Sequence, residues 1–400
     1  MHKRDIPATA LSPSRRSAVA PFLAMDVLSQ AALREAAGHN VIHMEVGEPG
    51  AAPPRLVREA AIAALSGGKV GYTASLGRPS LRERIARHYR DLYGVKVDAG
   101  RIAVTTGSSA GFILAFLAMF DAGQRIAISA PGYPAYRNIL EALGLEAVLI
   151  ETTAATRHVV TGAMLAAEHA RQKLDGALLM SPVNPTGTMM SAEGLADICR
   201  TCAALGIKFI SDEIYHGLTY GAPAATALAF SADAVVVNSF SKYFCMTGWR
   251  IGWLVLPPAL VRPVERLQQS LAISVPYLSQ VAAEAAFDAR EELEAVKAGY
   301  ARNRDLLLHE LPRLGFSDFH PADGAFYFYV DIGRYSNDSM QFCRRMLDEA
   351  GVAATPGLDF DRMHGARAMR LSYAGSEADV REAVGRLRQW MKQGRVTLSL

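Results

Sequence analysis

Residues 239–252 read Ser-Phe-Ser-Lys-Tyr-Phe-Cys-Met-Thr-Gly-Trp-Arg-Ile-Gly, and the reading of the fold starts from what surrounds them. Immediately upstream, residues 234–238 are Ala-Val-Val-Val-Asn, a short β-branched run with the character of a buried strand. Lys242 therefore falls on the loop leaving a strand's carboxyl end, where open α/β sheets place their ligands. Ser239 and Ser241 stand beside it and Arg250 follows, two hydroxyls and a guanidinium that suit a phosphate. Any single lysine taken alone reads as surface. A lysine for covalent carbonyl chemistry among phosphate-binding groups fits a pyridoxal phosphate Schiff base.

Working outward, strand-like runs at 102–105, 125–129, 146–150, 176–181, 208–211 and 234–238 alternate with helical ones. This βα alternation predicts an α/β fold with a mostly parallel sheet sandwiched by helices. Earlier helical patterns cover 25–37, 54–65 and 80–93, with a short segment at 41–46 between the first two. After the lysine stretch a long helical pattern runs over 258–309, interrupted near Pro276. Beyond Leu314 the character changes to α+β: Phe-Tyr-Phe-Tyr-Val at 326–330, a helix over 340–350, a strand over 369–373 and a last helix to about Lys392. The expected division is an N-terminal arm (1–20), a large domain (47–290) and a smaller α+β domain built from 21–46 and 291–400.

Half of the 400 residues are hydrophobic, enough for a substantial core and two domains. A formal net charge of +3 gives no reason to propose nucleic acid or an anionic membrane as partner. The longest apolar run, 112–120, is too short to span a bilayer and reads as a buried helix. The N-terminus has basic residues but no apolar secretory core, and four cysteines in so long a chain fit a reducing, cytoplasmic setting. Cys199 and Cys202 form a C-x-x-C inside an amphipathic helical pattern, with no second pair or nearby histidine to complete a zinc site, so packing is the favoured reading.

Four further stretches carry chemistry, each at the end of a strand-like run. Thr-Thr-Gly-Ser-Ser-Ala-Gly (105–111) leaves free backbone N–H groups at a helix start, a place for phosphate. Tyr133, on the loop Ala-Pro-Gly-Tyr-Pro-Ala-Tyr, offers a ring to stack on a flat heteroaromatic. Asn184, in Ser-Pro-Val-Asn-Pro-Thr-Gly, puts an amide on a rigid turn, suited to a phenolic oxygen. Asp212 can keep a pyridine nitrogen protonated, and Tyr215 lies three residues on. Taken alone, Asp212 reads equally as a helix cap. Arg370, in Arg-Leu-Ser-Tyr-Ala, can bind a carboxylate bidentately, though alone it reads as a surface charge.

The ordered set Gly-Glu-Pro (47–49), Gly-Tyr-Thr (71–73), Gly-Ser-Ser, Pro-Gly-Tyr, Asn-Pro-Thr-Gly, Asp-Glu-Ile-Tyr, Ser-Phe-Ser-Lys with Gly-Trp-Arg-Ile-Gly, and Arg-Leu-Ser-Tyr-Ala resembles the class I/II aminotransferases over residues 20–395. These are the fold-type I enzymes that use pyridoxal phosphate. The resemblance implies Lys242 as Schiff-base lysine and general base, and Asp212 on the pyridine nitrogen. It implies Tyr215 and Asn184 at the phenolic oxygen and Tyr133 on the ring. It assigns Gly107, Ser108, Ser109, Ser239, Ser241 and Arg250 to the phosphate, and Tyr72 to the phosphate of a neighbouring subunit in a homodimer. Arg370, with Gly47 and Asn184, would bind the substrate carboxylate.

The activity so implied is transfer of an amino group from an L-amino acid to a 2-oxo acid such as 2-oxoglutarate or pyruvate. Some aspartate-specific members carry a second arginine in the stretch matching 268–276. Here it reads Gln-Gln-Ser-Leu-Ala-Ile-Ser-Val-Pro, which favours a neutral or aromatic donor. The same residues would also serve β-elimination by a C–S lyase or ring-forming synthesis. A non-catalytic aminotransferase-like sensor needs a DNA-binding domain in front, and an NAD enzyme needs the glycine fingerprint that is missing here.

Overall fold

The computed structural model describes residues 12–392; the first part of the expected arm, residues 1–11, lies outside that range. The chain opens with α1 (Leu23–Ala36), β1 (Ile42–His43), α2 (Arg55–Ser66) and α3 (Pro79–Tyr93). The alternating part follows: β2 (Ile102–Thr105), α4 (Gly107–Met119), β3 (Arg125–Ala130), α5 (Pro134–Ala142), β4 (Glu146–Glu151), α6 (Gly162–Arg171), β5 (Gly176–Met180), α7 (Ala192–Leu205), β6 (Lys208–Asp212), β7 (Val235–Ser239) and β8 (Gly252–Val255). Three helices come next, α8 (Pro258–Leu271), α9 (Tyr277–Ala286) and α10 (Arg290–Arg313). The chain ends with β9 (Tyr327–Asp331), α11 (Ser339–Arg345), β10 (Val352–Ala353), β11 (Thr355–Pro356), β12 (Ala368–Ser372) and α12 (Glu377–Lys392).

Seven strands form one sheet in the order β2-β8-β7-β6-β5-β3-β4, and all but β8 run the same way. Successive strand residues point to opposite faces, and each face has its own apolar cover. Val104, Leu179, Val236 and Trp253 pack with Leu81 and Ile85 of α3 and Ile198 of α7. Ala103, Leu178, Val237 and Leu254 pack with Phe112 and Phe116 of α4. That second core runs on without a break into the C-terminal sheet β11-β12-β9 through Phe326, Phe328 and Leu371. The segment before Gly47 joins the same end of the molecule, with β1 pairing parallel to β10.

The run at 112–120 is the buried flank of α4. Cys199 and Cys202 are buried and free, and no group of metal-ligating side chains occurs among the described residues. Two expectations change. Residues 252–255, of which only Gly252 was counted with the lysine motif and the rest were given no element, form an antiparallel strand inserted between β2 and β7. The long helical pattern breaks twice, around 272–276 and again at 287–289.

The Asn-Pro-Thr-Gly turn after β5 ends in Gly187, which has φ +70°. A Cβ there would stand 2.6 Å from the Ala322 Cβ and 2.8 Å from the Tyr327 carbonyl. Gly206, after α7, has nearly the same φ, +68°, with nothing within 4 Å. Alanine at either position carries the left-handed backbone cost of roughly 1–2 kcal/mol, and only Gly187→Ala adds a clash with backbone. Thermal melting should therefore fall more in Gly187→Ala than in Gly206→Ala. Equal shifts would show that the turn has room to relax.

Candidate active site

Because the strands other than β8 run the same way, their carboxyl ends deliver loops to one edge of the sheet. The loop after β7 carries Ser241 and Lys242, the loop after β5 carries Asn184, and β6 ends in Asp212 with Tyr215 just beyond. Ser108 and Ser109 occupy the first turn of α4, and Tyr133 precedes α5. With Gly47, Arg250 and Arg370 these side chains and backbone groups line one cavity of about 170 Å³. Gly107 and Ser239 do not line it but touch residues that do, Gly107 lying against Arg250 and Ser239 bonded to Ser241.

Lys242 is half-buried and its Nζ donates to the Gly47 carbonyl at 2.6 Å. Burial, with the nearby Arg370 charge, pushes it down to about 8. Asp212 is buried and its carboxyl is pushed up to about 6, chiefly by burial. Its oxygens are oriented by the Tyr136 hydroxyl, which donates to Oδ2, and by the Ile214 amide, 3.0 Å from Oδ1.

The phosphate candidates are pre-arranged. Ser239 accepts from the Ser241 amide at 3.1 Å and donates to the Ile251 carbonyl at 3.1 Å, which fixes the loop and leaves Ser241 facing the cavity. Arg250 Nη1 donates to the Thr247 carbonyl at 3.0 Å. A Cβ on Gly107 would meet Arg250 Nη2 at 2.7 Å, so glycine is what lets the guanidinium lie against the start of α4.

Arg370, the expected surface charge when read alone, is 2% exposed. It donates to Asn184 Oδ1 at 3.0 Å, to Thr355 Oγ1 at 3.2 Å and to the Glu45 carbonyl. Its Cζ lies 4.5 Å from the Tyr327 ring centre and 4.7 Å from that of Phe360. Its Nε has no partner, and no carboxylate among the described residues pairs with it. The buried Asp359 carboxylate senses its charge without bonding to it, so a buried cation is left free to pair directly with a ligand anion.

Tyr215 meets Tyr327 hydroxyl to hydroxyl at 2.7 Å, and Tyr133 packs edge-on against Phe22 at 5.8 Å. Tyr72 is the exception. It is 83% exposed and belongs to a separate surface hollow with Val275 and Pro276. Four contributors were not singled out in the sequence: Tyr136, Tyr327, Phe22 and the Glu45 carbonyl. Tyr136 had a signal, standing three residues after Tyr133 and hence on the same side of a helix start. The other three act across long sequence separations and had none.

The residues present fit pyridoxal phosphate. A buried carboxylate without a cationic ion-pair partner suits a pyridinium N–H. Two hydroxyls, a helix start and Arg250 suit a phosphate, and Lys242 is shifted toward the neutral amine that attacks an aldehyde. A family model described as aminotransferase class I and II matches residues 39–387. A valine–pyruvate aminotransferase of Mycobacterium tuberculosis is 46% identical over 380 residues, covering 94% of this chain and 97% of its own. A (5-formylfuran-3-yl)methyl phosphate transaminase of Methanocaldococcus jannaschii is 33% identical, covering 93% and 97%. An aminotransferase crystal structure from Mycobacterium tuberculosis matches with a TM-score of 0.93 at 45% identity, over 96% of this chain and 100% of its own. The aspartate aminotransferase of Thermus thermophilus with maleate matches at 0.89 and 30%, over 95% and 99%. With that agreement between site chemistry, sequence and fold, the chain belongs to the class I and II aminotransferases, the pyridoxal phosphate-dependent transferases of fold type I.

Proposed function

We propose that the protein moves the amino group of a neutral aliphatic or aromatic L-amino acid to a 2-oxo acid, with pyruvate as the favoured acceptor. The observation that carries this reading is Arg370, one buried cation able to take one carboxylate. Besides Arg250, assigned to the phosphate, it is the only arginine lining the cavity among the described residues. Part of the lining is apolar, formed by Phe22, Ala24, Met25 and Val46. Gln268, in the stretch where a second arginine would stand, is committed to the Val104 carbonyl at 2.9 Å. The name of the 46%-identical mycobacterial relative, a valine–pyruvate aminotransferase, points the same way. A screen of amino donors against pyruvate and 2-oxoglutarate tests it: aspartate and glutamate as the best donors would overturn it.

When bound, the cofactor supplies an aldehyde carbon for the amino group and a protonated ring that accepts electrons released at Cα. The protein does the rest. Arg370 and Asn184 hold the α-carboxylate, which fixes the direction of the Cα–H bond. Lys242, as free amine, would be the general base for that proton. Asp212 keeps the proton on the ring nitrogen, Tyr133 packs on the ring, and Asn184 and Tyr215 hold the ring oxygen. Ser108, Ser109, Ser241 and Arg250 anchor the phosphate, with Gly107 and Ser239 shaping the cradle.

Tyr72, exposed and remote from its own cavity, is assigned to a partner's phosphate in a homodimer. The four free, buried cysteines support a reducing, cytoplasmic setting, and no described helix is long and apolar enough to cross a membrane. The two sheets meeting at the cavity support a large cofactor-binding domain (47–290) and a small domain (21–46 and 291–400).

With Lys242 shifted down to about 8, its neutral form gains population as pH rises through 8, well below where an ordinary lysine deprotonates. The rate at which apoprotein captures pyridoxal phosphate should climb between about pH 6.5 and about 9 and then level off. A rate still rising steeply at pH 10 would show an ordinary lysine, and after borohydride reduction Lys242→Ala should retain no cofactor mass.

Arg370→Ala should weaken all amino acids alike by roughly 2–5 kcal/mol in kcat/KM. Asp212→Ala should depress the single-turnover rate more than binding, because its role grows as charge develops. An unchanged single-turnover rate in cofactor-loaded Asp212→Ala would remove that assignment.

Finally, mixed dimers of Tyr72→Phe and Lys242→Ala chains should regain about a quarter of parental activity, since one site in each hybrid is free of both lesions. A scattering mass of one chain at working concentration would exclude the shared site.

A further inference from the structure

The Tyr215 loop and the Asn184 loop are held to each other by a side chain with no place in the chemistry above, His216. The ring is 6% exposed, and its Nε2 lies 3.1 Å from the Ser181 carbonyl. A carbonyl only accepts, so Nε2 carries the proton and Nδ1 presents a lone pair. Tyr93, at the end of α3, donates its hydroxyl to that lone pair at 2.7 Å. Glu213 Oε2 stands 3.5 Å from the same Nδ1 with no hydrogen-bond partner, while Oε1 accepts from the Ala227 amide at 2.8 Å and the Thr226 hydroxyl at 3.0 Å. An ionised carboxylate facing the Nδ1 lone pair would be repelled. Burial pushes Glu213 up to about 8 and His216 down to about 3, which leaves both neutral at pH 7. Donation therefore runs one way, from Tyr93 through His216 to Ser181.

Ser181 opens the turn that presents Asn184, and Asn184 Oδ1 accepts from Arg370 at 3.0 Å. On its other side His216 adjoins Tyr215, whose hydroxyl meets Tyr327 at 2.7 Å. We propose that His216 is a positioning residue: by accepting from Tyr93 and donating to Ser181 it fixes the Asn184 turn against the Tyr215 turn, and so sets how Asn184 and Arg370 receive the substrate carboxylate. The proposal rests on the aminotransferase reading of Arg370 and Asn184. Lys242 and Asp212 sit on other contacts, so losing the His216 bridge weakens binding common to ground and transition states. That raises KM and leaves kcat nearly unchanged.

The test compares holoenzymes. His216→Phe should raise the KM of the best amino donor about tenfold, the scale of one buried hydrogen bond left unmade, with kcat within about twofold. Titration of apoprotein with pyridoxal phosphate, followed by fluorescence, should show weaker affinity in the same variant. His216→Gln, whose amide nitrogen can donate toward Ser181 while its oxygen accepts from Tyr93, should restore most of the KM. Tyr93→Phe should shift KM and cofactor affinity in the same direction, and it decides the question if His216→Phe does not fold. KM and cofactor affinity both within about twofold of the parent, whatever the change in melting temperature, would assign His216 to the fold alone and overturn the proposal. If the parent turns over no amino acid, the functional reading fails, while cofactor affinity in the variants still decides the role of His216.

Discussion

A guanidinium removed from water needs either an anion or a dense set of acceptors, and Arg370 bonds directly only to neutral acceptors, with the Asp359 carboxylate acting on it from beyond hydrogen-bond range. Meeting that need draws together segments far apart in the chain. Asn184 comes from the end of β5, the Glu45 carbonyl from the segment after β1, Thr355 from β11, and the Tyr327 and Phe360 rings from β9 and the stretch before β12. One buried cation thus sits where the large sheet, the N-terminal segment and the small sheet converge. These contacts satisfy hydrogen bonds without neutralising charge, and Nε stays unpaired. The site is therefore complementary to a carboxylate before any carboxylate arrives.

Desolvation acts on the other charged groups with the sign burial requires. It moves Lys242 and Asp212 toward their neutral forms, the lysine down and the carboxyl up. For Lys242 this is useful at once, since the neutral amine is both nucleophile and base. For Asp212 it works against the ionised form that a pyridinium needs, and the Tyr136 hydroxyl and Ile214 amide oppose it by stabilising the carboxylate. Tyr136 is buried and contributes through Asp212.

Much of this was legible in sequence because the chemistry lies at strand ends. An apolar, strand-like run followed by small, hydroxylated or proline-bound residues marks such a place, and Ser108, Asn184, Asp212 and Lys242 were each found that way. What stayed hidden has physical reasons. The β8 strand begins inside the motif that holds Arg250, so its apolar residues read as part of a loop, and its antiparallel direction breaks the βα rhythm. Arg370 lies on a strand, where an isolated arginine usually faces water, and nothing local reveals that both faces of β12 are covered. Phe22 reaches the cavity, and the Glu45 carbonyl reaches Arg370, only through tertiary folding.

The two sides of the cavity are built differently, and that difference bears on substrate choice. Strand ends of the large sheet, each locked by ladder hydrogen bonds, carry Asn184, Asp212, Ser241 and Lys242. The apolar part of the lining comes instead from the start of α1 and the segment after β1. The first amides of α1, Leu23 and Ala24, are held by Asp359 at 2.9 and 3.2 Å, and this cap sets Phe22 against Tyr133. No strand of the large sheet takes part in that contact. Phe22 and Met25, at the start of α1, make no hydrogen bond to Lys242, Asp212 or Arg370, whereas Val46 stands between the two carbonyls that hold Arg370 and Lys242, so of these side chains those on α1 are the ones that can vary with the bonds of the charged groups left in place.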